Sequence, residues 1–500
     1  EIGSGLVGSE MCIRDRIIAA NVLVGIENQT TNQMGMKDVV IKLTKKENGF
    51  GHANAGMIGV FNNLVDFKAG NTTLILDNAN GNDKTTGINV GDKKAIIDGA
   101  LNMDITGNEN GNVVGVIGAT NVTGAVNANL KGGKNITGIE GAADVGGNVT
   151  MVIASLGSAY GINATAGIVE LGGDVNMDIV AANISAAGIA STGDITVAGN
   201  FNVNIHDTNA SNRMAAVIGN INQATMINIG GLQNNINVEG SSDFAEGFFS
   251  GVKLADDSVT NITLKNTKDS YWQTHGIYDR DDKGFDLGAN AVLNVSVEAN
   301  GVQLGNTGGS EGVFGLLLTN VASTESVTQA GSQLNVVVEG AGVSDAGLLG
   351  TVGISGSLKA AGDVMVDIKS ENGIGLRARS AGDHSKYTGD VIVKTNKGTA
   401  VGVVGYNGSN EASIVIDPAA GKKVQLLGDV KHFTKYGTQG ALIDISFKTA
   451  DSFLEGASIG ANGTNRVTNL SFDNASVWNM TGDSLSLIHI SEPTRPEPIS

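Results

Sequence analysis

A seven-residue pattern returns along this chain at nearly constant intervals, and no other feature restricts the fold as sharply. "GALNMDI" begins at Gly99, "GAVNANL" at Gly124, "GNVTMVI" at Gly147, "GDVNMDI" at Gly173 and "GNFNVNI" at Gly199, with spacings of 25, 23, 26 and 26 residues. "GDVMVDI" from Gly362 and "GDVIVKT" from Gly389 repeat it 27 residues apart. Within each copy apolar and polar residues alternate, as at Val175, Met177 and Ile179, which is the period of a strand with one buried face. Some 11 to 17 residues further on, a second short apolar strand follows glycine or alanine: "GVIG" at Gly115, "GIE" at Gly138, "GIN" at Gly161, "GIA" at Gly188 and "GVVG" at Gly402.

A fixed period in this range means a solenoid, a propeller or an array. Propeller blades need about 40–50 residues, so the unit is too short. A leucine-rich repeat fits the length but demands Leu at fixed offsets and an Asn ladder, a pattern not evident in the sequence. Antiparallel sandwiches would show turn signals every 8–12 residues or so without long-range register. What remains is an all-β chain folded as a right-handed parallel β-helix with about 25 residues per coil. Composition agrees. The 72 glycines oppose helix, while a hydrophobic share of 41% is too high for disorder. Gly and Asn also tolerate the left-handed backbone that tight corners need. About 18 or 19 coils spaced about 4.8 Å apart would make a rod on the order of 90 Å long, each coil stabilised by its neighbours.

Both ends differ from this body. Pro418 is the only proline before residue 485, yet Pro493, Pro496 and Pro498 follow within six positions, and the only cysteine is Cys12. "EIGSGLVGSEMCIRDR" and "LSLIHISEPTRPEPIS" resemble translated sequencing-library adapter, so residues 1–16 and 485–500 are expected to be non-structural. Residues 17–461 are then the β-helix, as a fragment of a longer gene.

Residues 244–286 obscure the repeat. They hold seven of the 21 aromatic residues and read either as wider, decorated coils with rings inside or as an irregular insertion. In the second case Tyr271, Trp272 and Tyr278 would form a projecting ligand-binding loop. The interval from Leu293 to Leu334 likewise allows nearly two coils or one decorated coil.

Catalytic and metal constellations are not evident. The net charge of -18 opposes nucleic acid. His52, His206, His275, His384, His432 and His489 share no ligand spacing, and HExxH, P-loop and GxSxG motifs are missing. "DRDDKG" from Asp279 fits a calcium loop poorly, with Lys283 and Asn290 where acidic ligands belong. "GDSL" at 482–485 straddles the suspected adapter junction. Asp174, Asp178, Asp363 and Asp367 fall on the outward side of the alternating strands, where carboxylates solvate a sheet more readily than they cut polysaccharide. No catalytic residue, metal or cofactor is assigned.

The stretch "NGTNRVTNLSFDNASVWNMTGDS", residues 462–484, resembles the C-terminal end of pertactin-like autotransporter passenger domains. The matching residues are Leu470, Phe472, Val477, Trp478, Asn479, Met480, Thr481, Gly482, Asp483 and Ser484. In that family this region is autochaperone-like, seeding folding after the chain passes unfolded through a C-terminal outer-membrane β-barrel (type V secretion). The resemblance implies a passenger fragment at the surface of a double-membraned bacterium, with the barrel missing. It further implies an adhesin-type stalk whose partners are host-cell or matrix surfaces, glycans or neighbouring cells. A β-helical polysaccharide-degrading enzyme and a filament or surface-layer component are the alternatives.

Overall fold

The computed structural model describes residues 11–14, 22–28, 31, 35–45, 56–81, 83–182, 184–207, 212–219, 225–279, 283–299, 301–303, 312–318, 325–340, 350–379, 382–404, 412–433, 440–460, 466–473, 475–484 and 487–490. They form two compact units, Glu1–Ser250 and Gly251–Ser500, and each is a parallel β-helix.

In the first unit, a coil consists of three strands. One of them, the long face below, carries the repeated motif: Leu101–Thr106, Val126–Lys131, Val149–Ala154, Val175–Ala181 and Phe201–Asp207 pair in parallel and in register. The strands of the second face include Asn135–Glu140, Ala159–Ala164, Ser185–Ser191 and Arg213–Ile218. Three-residue strands such as Ala143–Val145, Val169–Leu171 and Ile195–Val197 close the coil. Register stacks like on like: Ile105, Leu130, Ile153, Ile179 and Ile205 form one interior column, each at most 1% exposed. Full burial of such a side chain is worth about 1.5–3 kcal/mol, so each rung is held by the rungs on either side.

Outside the long face lie Asn ladders that the sequence alone does not announce. Asn127 Nδ2 donates to Asn102 Oδ1 at 2.9 Å, Asn202 to Asn176 at 3.1 Å and Asn235 to Asn202 at 3.1 Å. In a leucine-rich repeat the Asn occupies a fixed place among the leucines of the repeat. Here it occupies the outward positions of the alternating strand, which is why a search for that motif misses it.

The second face bends at its glycines. Pairing matches Val114 to Thr137 and Val116 to Ile139 but passes over Gly115 and Gly138. A Cβ on Gly161 would stand 2.5 Å from Gly188 O and 2.7 Å from Met177 Sδ. One on Gly188 would stand 2.7 Å from Ala216 O. These glycines are required by close approach of the next coil and of the interior Met and Val column, and their φ lies outside the left-handed region.

The motif glycines have the same explanation. A Cβ on Gly124 would meet Gly99 O at 2.7 Å, and one on Gly199 would meet Asp174 N at 2.6 Å. The Asx beside the glycine then ties coil to coil. Asn148 Oδ1 accepts the Asp174 N–H at 3.0 Å, Asp174 Oδ1 accepts the Asn200 N–H at 2.8 Å, and Asn200 Oδ1 accepts the Gln233 N–H at 2.9 Å. Left-handed corners occur at the motif glycine Gly99 and, elsewhere, at Asp257, Asn290 and Asn372 among others. Losing one such acceptor strands a backbone donor, so Asp174→Ala should cost about 1 kcal/mol. The shift in the urea midpoint measures it; an unchanged midpoint would show that water replaces the carboxylate.

The second unit repeats the plan. Val259–Asn266, Val292–Ala299, Gln333–Gly340 and Asp363–Glu371 form its long face. Gln273–Asp279, Gly312–Leu318, Thr351–Gly356 and Ile374–Ala378 form its glycine face. Leu293 lies directly against Leu334, so that interval is one decorated coil. The extra chain sits between Ala299 and Gly312 and between Leu318 and Val327, the corners that flank the glycine face. The turn into the long face stays short, as from Leu287 to Val292 and from Thr328 to Gln333.

Strand Met11–Arg14 pairs with Val39–Thr44, and Leu487–Ile490 pairs with Arg466–Phe472. An open rung presents unpaired backbone groups to any extended segment beside it. No helix among the described residues is long and apolar enough to cross a membrane.

Candidate functional site

The three aromatic residues that a projecting loop would carry do not share a surface. Tyr271 is 0% exposed and its hydroxyl donates to Ala299 O at 3.3 Å; Tyr278 is 7% exposed, whereas Trp272 is 40% exposed. Residues 244–286 hold strands, and Phe248, Phe249 and Phe285 are also buried. Phe248 continues the interior column of Ile189 and Val217 and stacks on Phe201 at 6.2 Å. Rings inside a coil fill volume where smaller residues stand in other coils, and this removes them from any ligand. Residues 280–282 of "DRDDKG" lie outside the described residues; Asp279 itself is buried, with Oδ2 accepting the Gly284 N–H at 3.1 Å.

Two buried polar groups are not evident from the sequence. In the first unit, Glu246 is 0% exposed on strand Phe244–Phe249. Arg213 Nε lies 3.4 Å from its Oε2 without forming a hydrogen bond, and neither carboxyl oxygen has a hydrogen-bond partner. The guanidinium lies over Phe249 at 4.4 Å and Phe244 at 5.1 Å, a cation–π arrangement. Burial pushes the carboxyl up to about 7 against the opposing pull of Arg213. In the second unit, Arg377 is 1% exposed, with Nε donating to Ser355 Oγ at 3.0 Å and its guanidinium 4.8 Å from the Phe314 ring. Burial, and after it the Arg379 charge, lower it to about 9 against the opposing pull of Asp383. His275 packs edge-on against Phe314 and Tyr278 at 5.1 and 4.9 Å. The available signal was a charged side chain inside a glycine-face strand; alternation is broken at each glycine, so no simple period says which side it faces.

Of the residues that the autotransporter resemblance singles out, Phe472 and Trp478 come together. Phe447, Phe472 and Trp478 stack at 4.5 and 5.7 Å with their ring planes nearly parallel. Trp478 Nε1 donates to Gly456 O at 3.0 Å, and the Gly456 N–H donates to Asn479 O at 3.1 Å. Leu470 is buried, Val477 and Met480 are exposed, and Thr481, Gly482 and Asp483 face solvent. Ser484 Oγ accepts the Ser458 N–H at 3.1 Å and donates to Gly482 O at 3.3 Å, bonds that tie the chain down. An open depression of about 460 Å³ lies nearby, lined by residues including Asp451, Phe453, Glu455 and Val477.

The outward acids brace the sheet. Asp178 Oδ1 accepts from Asn204 Nδ2 at 2.8 Å, Asp363 accepts from the Asp390 N–H at 2.8 Å and pairs with Lys422 at 2.7 Å, and Asp367 pairs with Lys369 at 2.6 Å. Of the histidines, His206 is exposed, His384 Nδ1 lies 2.8 Å from Ser413 Oγ, and buried His432 Nε2 lies 2.8 Å from Thr468 Oγ1. Burial and then the Arg466 charge lower His432 to about 4. Among the described residues no group of three or more His, Cys, Asp or Glu could hold a metal ion.

No protein-family model matches this chain, and neither a curated protein nor a solved structure does.

Proposed function

We propose that the chain is a fragment of a surface-exposed or secreted stalk of the autotransporter passenger type, serving adhesion rather than catalysis. One observation carries the reading. Connections from the short strands into the long face hold at two to four residues as far as Val391, lengthening to seven only between Ile416 and Val424 and to five between Phe447 and Phe453, whereas those at the two corners beside the glycine face reach twelve, between Ala299 and Gly312. A solenoid that keeps its core register while varying one side is arranged to display chain there. Asp178 and Asp363 are occupied in bracing neighbouring coils and Asp367 pairs with Lys369 on its own strand, which leaves them poorly placed for acid–base work on a polysaccharide. Many weak contacts along such a scaffold add by avidity. The partners would be host-cell or matrix surfaces, glycans or neighbouring bacterial cells.

The test is adherence of the full chain, immobilised on beads, to cells, matrix proteins and glycans. Adherence should exceed that of a variant with the corner sequences scrambled. Equal retention would remove the adhesive reading, depolymerisation of acidic polysaccharide would favour the enzyme, and ordered self-assembly would favour the filament.

A further inference from the structure

The outer surface of the long face in the first unit combines three properties. Its amides are fixed in place. Asn237 donates to Asn204 at 2.8 Å and Asn204 to Asp178 at 2.8 Å, while beside them Asn235 donates to Asn202 and Asn202 to Asn176, each at 3.1 Å. An Asn amide has two N–H donors and two acceptor lone pairs. Asn202 and Asn204 each spend one donor and one acceptor within the ladder, so one of each still faces solvent. Because the ladder already sets the amide plane, a ligand would order no rotamer there.

Aliphatic side chains stand among these amides: Val152 is 46% and Val180 38% exposed, with Val152 directly beside Asp178 in register. Neighbouring coils put polar groups about 4.8 Å apart and alternate residues about 6.6 Å apart. The charge is also restrictive. Asp178 would repel anions, and no Lys or Arg occupies the outward positions of Val175–Ala181 and Phe201–Asp207. The backbone of these strands is paired on both sides, so an added peptide strand finds no edge.

We propose that this face binds a neutral, unbranched glycan, its hydroxyls meeting Asn202, Asn204 and Asp178 and its C–H faces lying on Val152 and Val180. The inference rests on the adhesion reading and names a ligand class for it. Fixed amides suit hydroxyls, which donate and accept together, and small aliphatic patches suit the apolar faces of sugar rings.

The experiment titrates the full chain calorimetrically with cellohexaose and with maltohexaose, using hexagalacturonic acid as the anionic comparison. At least one neutral hexasaccharide should bind saturably, and the acidic one should not. The double variant Asn202→Ala/Asn204→Ala should weaken binding at least tenfold, whereas Asn294→Ala, in the ladder of the other unit, should leave it within twofold. Unchanged thermal unfolding of both variants separates lost contacts from lost fold. If the double variant does unfold, Val152→Asp replaces it, with the same tenfold loss expected. Saturation by neither neutral sugar, or equal binding by wild type and the double variant, overturns the proposal. If bead adherence to cells persists in either case, the stalk reading survives the loss of this ligand; if adherence is lost as well, both fail.

Discussion

Replacing Gly161 with alanine should destabilise the first unit by about 3 kcal/mol, near the upper end of ordinary overpacking. The added methyl would sit 2.5 Å from Gly188 O and 2.7 Å from Met177 Sδ. The sulfur belongs to a flexible side chain and can turn aside. The carbonyl cannot, because Gly188 is itself packed against Ala216 O in the following coil and its strand is paired in register. Retreat at one rung would have to be passed to the next. Gly35→Ala serves as the control: a methyl there would have nothing within 4 Å, and the φ of Gly35 is unstrained, so it should stay within about 0.5 kcal/mol of the parent. Urea unfolding followed by circular dichroism decides the matter. Equal midpoints for the two variants would mean that the bend at Gly161 relaxes freely and that the glycine column is not a packing requirement.

The contrast between these glycines explains what the sequence makes legible. The motif from Gly173 to Ile179 announces the long face because two demands coincide there. The interior column needs Val175, Met177 and Ile179 at a period of two, and the corner needs a glycine followed by a short acceptor, here Asp174. Coil stacking was readable for that reason. Left-handed backbone accounts for Gly99 among the motif glycines but not for Gly124, Gly147 and Gly199, which are excluded from having a side chain by the previous coil. Decorated coils blurred the period around Leu293 and Leu334, since insertion at a corner changes spacing without changing register. The aromatic residues of 244–286 left two readings open, rings inside wider coils or a projecting loop, because a cluster of rings in sequence carries no sign of which way each one faces. The autochaperone-like stretch shows the opposite: Phe472 and Trp478 were singled out by resemblance, and the fold stacks them together with Phe447, which that stretch does not contain. Glu246 was invisible because its partner, Arg213, lies one whole coil earlier.

Glu246 should make the first unit more stable in mild acid than at neutral pH, the reverse of the usual behaviour of paired carboxylates. Its folded-state value is raised to about 7 from 4.5, so the folded chain holds this proton more tightly than the unfolded chain does. The contribution is therefore fully present below about pH 4.5 and is lost as pH rises through about 7, amounting to about 3 kcal/mol over that window. Burial is the larger cause, and the attraction of Arg213 only tempers it: the pair meets at 3.4 Å without a hydrogen bond, while the guanidinium is held over two phenyl rings. Glu246→Gln keeps the shape and removes the titration. Comparing urea midpoints of the two proteins from pH 4 to pH 8 should show the variant gaining on the parent by about 3 kcal/mol, with most of the gain between pH 5 and 7. Arg213→Met should leave the onset of the parent's decline near pH 4.5 and extend it to higher pH, because the charge favouring the folded-state carboxylate is gone. Parallel curves for parent and Glu246→Gln would show that the carboxyl ionises in the folded chain as easily as in water, and hence that it is not sealed in the coil.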